Sequence, residues 1–161
     1  MPEITLILHN IRSTHNVGSI FRTAEGFGVK KIILSGYTPY PTLKNDSRLP
    51  HLTEKVTAQI RKTALGAETM VPFEYHDNLL TWLDQSTLPL VALEQHHTST
   101  SVADFQAPEA FALLLGEEVN GISDDLLKRV DHIIEIPMKG QKESFNVSVA
   151  TGIALFALCM R

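Results

Sequence analysis

Apolar positions along the chain follow two alternating rhythms. Residues 4–9 (ITLILH) are short, apolar and rich in β-branched types, which predicts a buried strand. Asn10 to His15 reads as a polar turn. From Asn16 onward, Val17, Ile20, Phe21 and Ala24 recur at helical spacing, with Asn16 as the expected N-cap and Gly26 and Gly28 as the stop. A second strand is predicted at 31–36 (KIILSG), and the proline-bearing stretch 37–50 reads as a loop. A helix over 52–64, a short strand near 70–75, a helix at 79–83 and a strand at 89–95 (PLVALEQ) follow. Residues 96–109 read as a polar connection with room for a helical turn, and FALLLG at 111–116 as an almost wholly apolar strand. Ser123-Asp124-Asp125 should cap a short helix, acids at its positive end and Lys128-Arg129 at the other. HIIEIP at 132–137 predicts the last strand, and 144–160 the last helix.

Strands thus alternate with helices, and several are apolar on both faces. That pattern predicts an α/β fold, a mostly parallel sheet with helices on both faces. No repeat, low-complexity tract or linker divides the chain, so residues 1–161 read as a single domain. Ligands of such sheets collect beyond the carboxyl ends of the strands. Three strand ends here carry unusual polar loops, at 10–16, 116–121 and 137–146, and the site is expected there.

Composition narrows the class. With 43% hydrophobic and 20% charged residues, the sequence is that of a globular protein. No apolar run approaches the roughly 18 residues that span a membrane, and Met1 to Asn10 lacks the features of a secretory signal. The single cysteine, Cys159, cannot form an intrachain disulfide and is expected to be a buried thiol, which fits a cytoplasmic, reducing compartment. A net charge of −4 argues against a strongly basic nucleic-acid binder, but it hides an asymmetry. Residues 1–62 hold nine Lys/Arg against four Asp/Glu, and the remainder five against fourteen. A basic half can meet a polyanion although the whole is acidic; ordinary solvated surface charge explains the same count.

Three loop regions carry candidate chemistry. In the first, Asn16 stands at a predicted helix start and Arg22 interrupts the apolar helix between Phe21 and Ala24. A helix N-terminus followed by an arginine suits a phosphate; a plain cap and an Arg22–Glu25 ion pair suit the same residues. In the second, Gly116-Glu-Glu-Val-Asn-Gly121 places two glycines five apart after an apolar strand, for a tight turn or for close approach to a ligand. It lacks the Gly-Lys-Ser/Thr ending of a phosphate-cradling loop, and paired carboxylates favour hydroxyl, amino or cationic partners. In the third, Ile136-Pro-Met-Lys-Gly-Gln-Lys-Glu-Ser-Phe-Asn-Val-Ser-Val-Ala150 runs from strand through loop to helix, and Ser144 or Asn146 should cap.

Together and in this order, the blocks resemble the three motifs of the SpoU–TrmH family of the SPOUT methyltransferases. The match runs from the first strand to the last helix, and Lys62 to Glu68 is similar to a segment common between the family's first two motifs. The resemblance implies a C-terminal deep trefoil knot, S-adenosyl-L-methionine bound by the knotted loops, and a homodimer with active sites near the subunit interface. Carried over residue by residue, it implies cofactor contacts at Leu93, Glu94, Gly116, Ile136, Met138, Phe145 and Val147. It implies catalytic roles for Asn16, Arg22, Glu118, Ser144 and Asn146, and methyl transfer to a ribose 2′-hydroxyl of tRNA or rRNA. No metal is required, and the adjacent His96 and His97 suit a surface turn better than a metal site. Phe145 stands where leucine is usual, and Glu117 where Asn or Ser is common. The extra RNA-binding domain or basic extensions of many relatives are not evident, so RNA is expected to meet Arg12, Lys44, Arg48, Arg61 and Lys62, or to be held with help from another protein. The competing readings are a catalytically silent knotted RNA-binding or assembly protein, a methyltransferase acting on something other than RNA, and a Rossmann nucleotide binder. The last lacks its Gly-x-Gly-x-x-Gly turn between Asn10 and Gly18.

Overall fold

The computed structural model describes residues 1–160. Its elements in chain order are β1 (Glu3–His9), α1 (Thr14–Gly26), β2 (Lys31–Ser35), α2 (Pro50–Ala64), a short 3-10 turn (Ala67–Thr69), β3 (Phe73–His76) and α3 (Leu79–Gln85). Then come β4 (Leu90–Leu93), β5 (Thr100–Ser101), β6 (Ala110–Leu115), α4 (Asp124–Leu127), β7 (His132–Glu135) and α5 (Val147–Cys159). The seven strands form one sheet in the order β3-β2-β1-β6-β4-β7-β5, and every strand pairing is parallel.

Side chains alternate across a strand, so β1 feeds two cores. Ile4, Leu6 and Leu8 face one layer with Val17, Ile20 and Phe21 of α1, Ile60 of α2 and Leu155 and Leu158 of α5. Ile7 faces the other, with Ile33, Leu114, Leu79 of α3 and Leu126 of α4. The sheet is therefore covered on both faces, as its doubly apolar strands predict. No helix among the described residues is long and apolar enough to cross a membrane.

Three local readings change. The cap of α1 is Ser13, whose side chain accepts from the Asn16 backbone N–H, so Asn16 lies inside the first turn and its own side chain is released. The last helix begins at Val147 rather than 144, because Asn146 caps it by accepting from the Ser148 N–H. Within the 96–109 connection, Thr100–Ser101 pairs with β7 as a two-residue edge strand. Such a short polar strand has no hydrophobic rhythm to betray it.

Candidate active site

The carboxyl ends of β4, β6 and β7 open onto a cavity of about 610 Å³. Three loops wall it: 94–96 after β4, 116–122 after β6, and 136–146 after β7. These are held together by specific bonds. The Glu94 carboxylate accepts from the Ile122 N–H at 2.9 Å, and Gln95 Nε2 donates to the Ile136 carbonyl at 3.0 Å. Gly121 adopts φ 66°, and a Cβ there would run into the Glu94 carboxylate. The glycine thus serves the turn and the close approach of Glu94 at once.

The loop 116–122 closes on itself. Glu117 and Gly121 exchange backbone bonds of 3.1 and 2.9 Å, and the Glu117 carboxylate accepts from Asn120 Nδ2 at 2.8 Å. A Cβ on Gly116 would meet the Gly121 carbonyl carbon at 2.6 Å, so the two glycines five apart are explained by the turn. Within it Glu118 points back toward α1. Its carboxylate accepts from the backbone N–H of Arg12 and of Ser13, both at 3.2 Å, and from Asn16 Nδ2 at 3.3 Å. A carboxylate at a helix N-terminus is favourably placed against both the free N–H groups and the helix dipole.

Asn16, freed from capping, connects the third block. Its Oδ1 accepts from Asn146 Nδ2 at 3.2 Å, while Asn146 Oδ1 accepts from the Ser148 hydroxyl at 2.7 Å. The line Glu118–Asn16–Asn146–Ser148 therefore stitches the three loop motifs into one unit at the rim of the cavity. These four positions lie on three separate stretches that only the folded sheet brings together.

Burial by itself would raise the Glu118 carboxyl, but its backbone donors and Asn16 outweigh that and hold it below its ordinary range. A depressed folded-state value adds stability above the unfolded value, about 4.3, and that stability is lost as pH falls through the folded one. Glu118→Gln should accordingly cost about 1 kcal/mol near neutrality, after allowing for partial exposure, with the deficit shrinking below about pH 4. Urea unfolding of both proteins across that range measures it; a deficit independent of pH would contradict the assignment.

Of the expected cofactor residues, Leu93, Glu94, Gly116, Ile136, Phe145 and Val147 line the cavity, and Met138 does not. Of the expected catalytic residues, Glu118, Ser144 and Asn146 line it, Asn16 is bonded to two of them, and Arg22 stands outside. Arg22 is exposed on α1 and makes no ion pair among the described residues, so the simple alternative of pairing with Glu25 is not realised. Among the basic residues, Arg12, Lys44, Arg61 and Lys62 are exposed. Arg48 differs. Its guanidinium grips Asp46 at 2.7 Å, donates to the Tyr40 and Pro41 carbonyls and lies 3.5 Å from the centre of the Tyr40 ring. That set of contacts staples the loop after β2 and leaves Arg48 with little to offer a ligand. Glu68, in the segment resembling the family's, is buried and accepts from the Gly66 N–H at 2.9 Å, a structural role at the end of α2.

Sequence reasoning missed Ser13 as the cap and the carboxylate of Glu94 as a loop clamp. Serine three residues before Asn16 was a visible signal for the first. The second depends on a contact between residues 28 apart, for which no local pattern exists.

The chain matches known proteins along most of its length. The model of the SpoU rRNA Methylase family matches residues 3–156. The chain is 32% identical over 158 residues to the 23S rRNA (guanosine-2′-O-)-methyltransferase of Coxiella burnetii, covering 96% of this chain and 57% of that protein. The counterpart from Salmonella typhi is 33% identical over 156 residues, with 94% and 57% covered. The chain thus spans little more than half the length of these curated relatives. An AdoMet-bound rRNA methyltransferase from Sinorhizobium meliloti shares the fold with a TM-score of 0.78 at 24% identity, over 96% of this chain and 55% of that one. With the family pattern matched from β1 into α5, and with its three motifs bonded to one another at one cavity, the chain belongs to the SpoU rRNA methylase family.

Proposed function

We propose that this chain transfers a methyl group from S-adenosyl-L-methionine to a ribose 2′-hydroxyl of tRNA or rRNA. The observation that carries the reading is the bonded line from Glu118 through Asn16 to Asn146, which joins all three family motifs beside the cavity. The cavity's size lies in the ordinary range for small-molecule sites, about 300–1,000 Å³. Its make-up fits the cofactor. Leu115, Ile122, Ile136 and Phe145 offer apolar surface to an adenine, while Glu94, Glu117 and Glu143 offer carboxylates to ribose hydroxyls and to a cationic centre. When bound, S-adenosyl-L-methionine supplies an electrophilic methyl on a sulfonium. The deep trefoil knot of the SPOUT fold belongs to the same reading, supported by the three loops that converge on one cavity.

The chain's residues then have distinct tasks. The ribose hydroxyl would take the methyl as the S–CH3 bond breaks, releasing neutral S-adenosyl-L-homocysteine, and its proton must leave as the new C–O bond forms. Arg22 is not the acceptor, since a guanidinium stays protonated and offers no lone pair. It holds the phosphate next to the target ribose, stabilises the charge developing on the oxygen, and leaves a phosphate oxygen to take the proton. Glu118 is ill suited as a base too, because its donors hold it ionised at low basicity. It fixes the start of α1, and with it the helix that carries Arg22. Ser144 and Asn146 orient the hydroxyl.

A homodimer in the cytoplasm completes the reading. α5 carries no charged residue, yet only one side of it is buried. Phe145, Val149, Phe156 and Met160 remain 40%, 50%, 60% and 65% exposed, and Phe145 also lines the cavity. A helix apolar all round calls for cover on both sides, and a second copy supplies it. Phe156→Asp should convert a dimer into a monomer in sedimentation velocity; a monomeric wild type would count against the pairing.

Methyl-labelled S-adenosyl-L-methionine incubated with the protein and RNA lacking modifications tests the reading. Label in RNA is the expected result. Cofactor binding and RNA binding without any label would favour the silent binding protein instead.

A further inference from the structure

The proposed RNA substrate leaves one exposed aromatic side chain unexplained. Tyr37 lies two residues beyond the end of β2 and is 51% exposed, yet its backbone is tied down. Its N–H donates to Asn10 Oδ1 at 3.1 Å, and Asn10 takes the left-handed conformation, φ 57°, to reach it. Gly36 also lies in that region, at φ 64°, and a side chain there would collide with the Asn10 amide. On the other flank Thr38 is 2% exposed, its hydroxyl donating to the Leu8 carbonyl at 2.9 Å and accepting from the Ile11 N–H at 3.0 Å. Both neighbours are pinned, and the ring between them is presented to solvent.

The surroundings give the ring a use. The Arg12 guanidinium lies 5.6 Å from the ring centre on one side and 4.0 Å from the Glu117 carboxylate on the other. Glu117 lines the cavity, so Tyr37, Arg12 and Glu117 form a continuous strip into the site. Along the sheet, β2 lies two strand positions from β6, a distance of roughly 10 Å. A nucleotide next to one in the site falls within that reach. The half-buried pair Tyr40 and Tyr75 offers a contrast. Tyr40 is stacked on Tyr75 at 3.8 Å and covered by Arg48, so its face is already occupied.

Resting on the RNA reading above, we propose that Tyr37 is a base-stacking subsite. Its ring receives a nucleobase flanking the target nucleotide, and Arg12 holds the phosphate between the two. A ring whose backbone is fixed in advance loses less freedom on binding, and every base has a face to stack, so the subsite grips RNA without demanding a sequence. Arg12 beside the ring adds both phosphate charge and cation–π support.

The test is a titration of labelled, unmodified tRNA and fragmented rRNA with the wild type, Tyr37→Ala and Tyr37→Phe. S-adenosyl-L-methionine binding by each variant serves as the check on folding. The expected result is RNA binding about fivefold to a hundredfold weaker for Tyr37→Ala, and within about twofold of wild type for Tyr37→Phe. Equal RNA affinity for wild type and Tyr37→Ala would overturn the stacking role alone and leave the methyltransferase reading standing. A wild type that binds neither RNA would overturn that reading, and the subsite with it. Loss in both variants would assign the effect to the hydroxyl and overturn stacking.

Discussion

Arg22→Ala is expected to lower methyl transfer by about a hundredfold to a thousandfold while leaving S-adenosyl-L-methionine affinity unchanged. Two structural facts separate these effects. Arg22 does not line the cavity, so its removal takes nothing from cofactor binding. It is also exposed and without an ion pair among the described residues, so its truncation should change stability by no more than about 0.5 kcal/mol. An arginine with a structural job would show the reverse, as Arg48 does with Asp46, Tyr40 and Pro41. Single-turnover rates with saturating cofactor measure the effect. Arg22→Lys should recover only part of the loss, since an ammonium cannot offer a phosphate the paired donors of a guanidinium. A full-rate Arg22→Ala enzyme would remove Arg22 from the mechanism.

Gly18→Ala is expected to be the most damaging small substitution for stability. Gly18 is buried in α1 where the helix crosses α2, and a Cβ there would run into the Ile60 carbonyl and the Thr63 hydroxyl. The Ile60 carbonyl is backbone and cannot turn aside. Thr63 is held in turn by its bond to the His15 carbonyl, 2.8 Å away. The helices must therefore separate. Overpacking of this kind costs about 1–3 kcal/mol, and a rigid obstacle puts this case toward the upper end even after the helix-propensity gain of alanine. For a chain of this length the melting temperature should fall by roughly 4–10 °C. Gly26→Ala is the control. Nothing lies within 4 Å of its added carbon, and the change should be neutral or slightly stabilising. Equal melting temperatures for Gly18→Ala and wild type would contradict a close α1–α2 contact at this position.

Gly18 also shows how a motif can be read correctly and understood only in part. Within Asn-x-Gly-x-Ile-x-Arg, the asparagine bonds to the second and third motifs and the arginine is exposed, whereas the glycine serves packing against a helix about 40 residues away in sequence. Nothing in the local pattern separates these jobs. The sheet itself was legible because β1 and β6 are apolar on both faces, and that follows from burial between two helical layers. The strand order was not, since pairing β1 with β6 or β4 with β7 joins residues far apart. Asn16 illustrates the point at the site. Its residue type suits a cap, but Ser13 takes that role, and the amide becomes the link between the second and third motifs. Arg48 illustrates the converse, where a basic residue counted toward RNA is bonded within its own loop. Charge can be counted from sequence, but what neutralises it cannot.

The central claim is that the acceptor is a ribose 2′-hydroxyl, and the chemical position of the transferred methyl tests it most directly. RNA methylated by the wild-type protein from S-adenosyl-L-methionine carrying a heavy-isotope methyl group would be digested to nucleosides and weighed by mass spectrometry. The account predicts that the heavy methyl stays with the sugar when the glycosidic bond is broken, and that Arg22→Ala removes the signal. A heavy methyl that leaves with the base would contradict it.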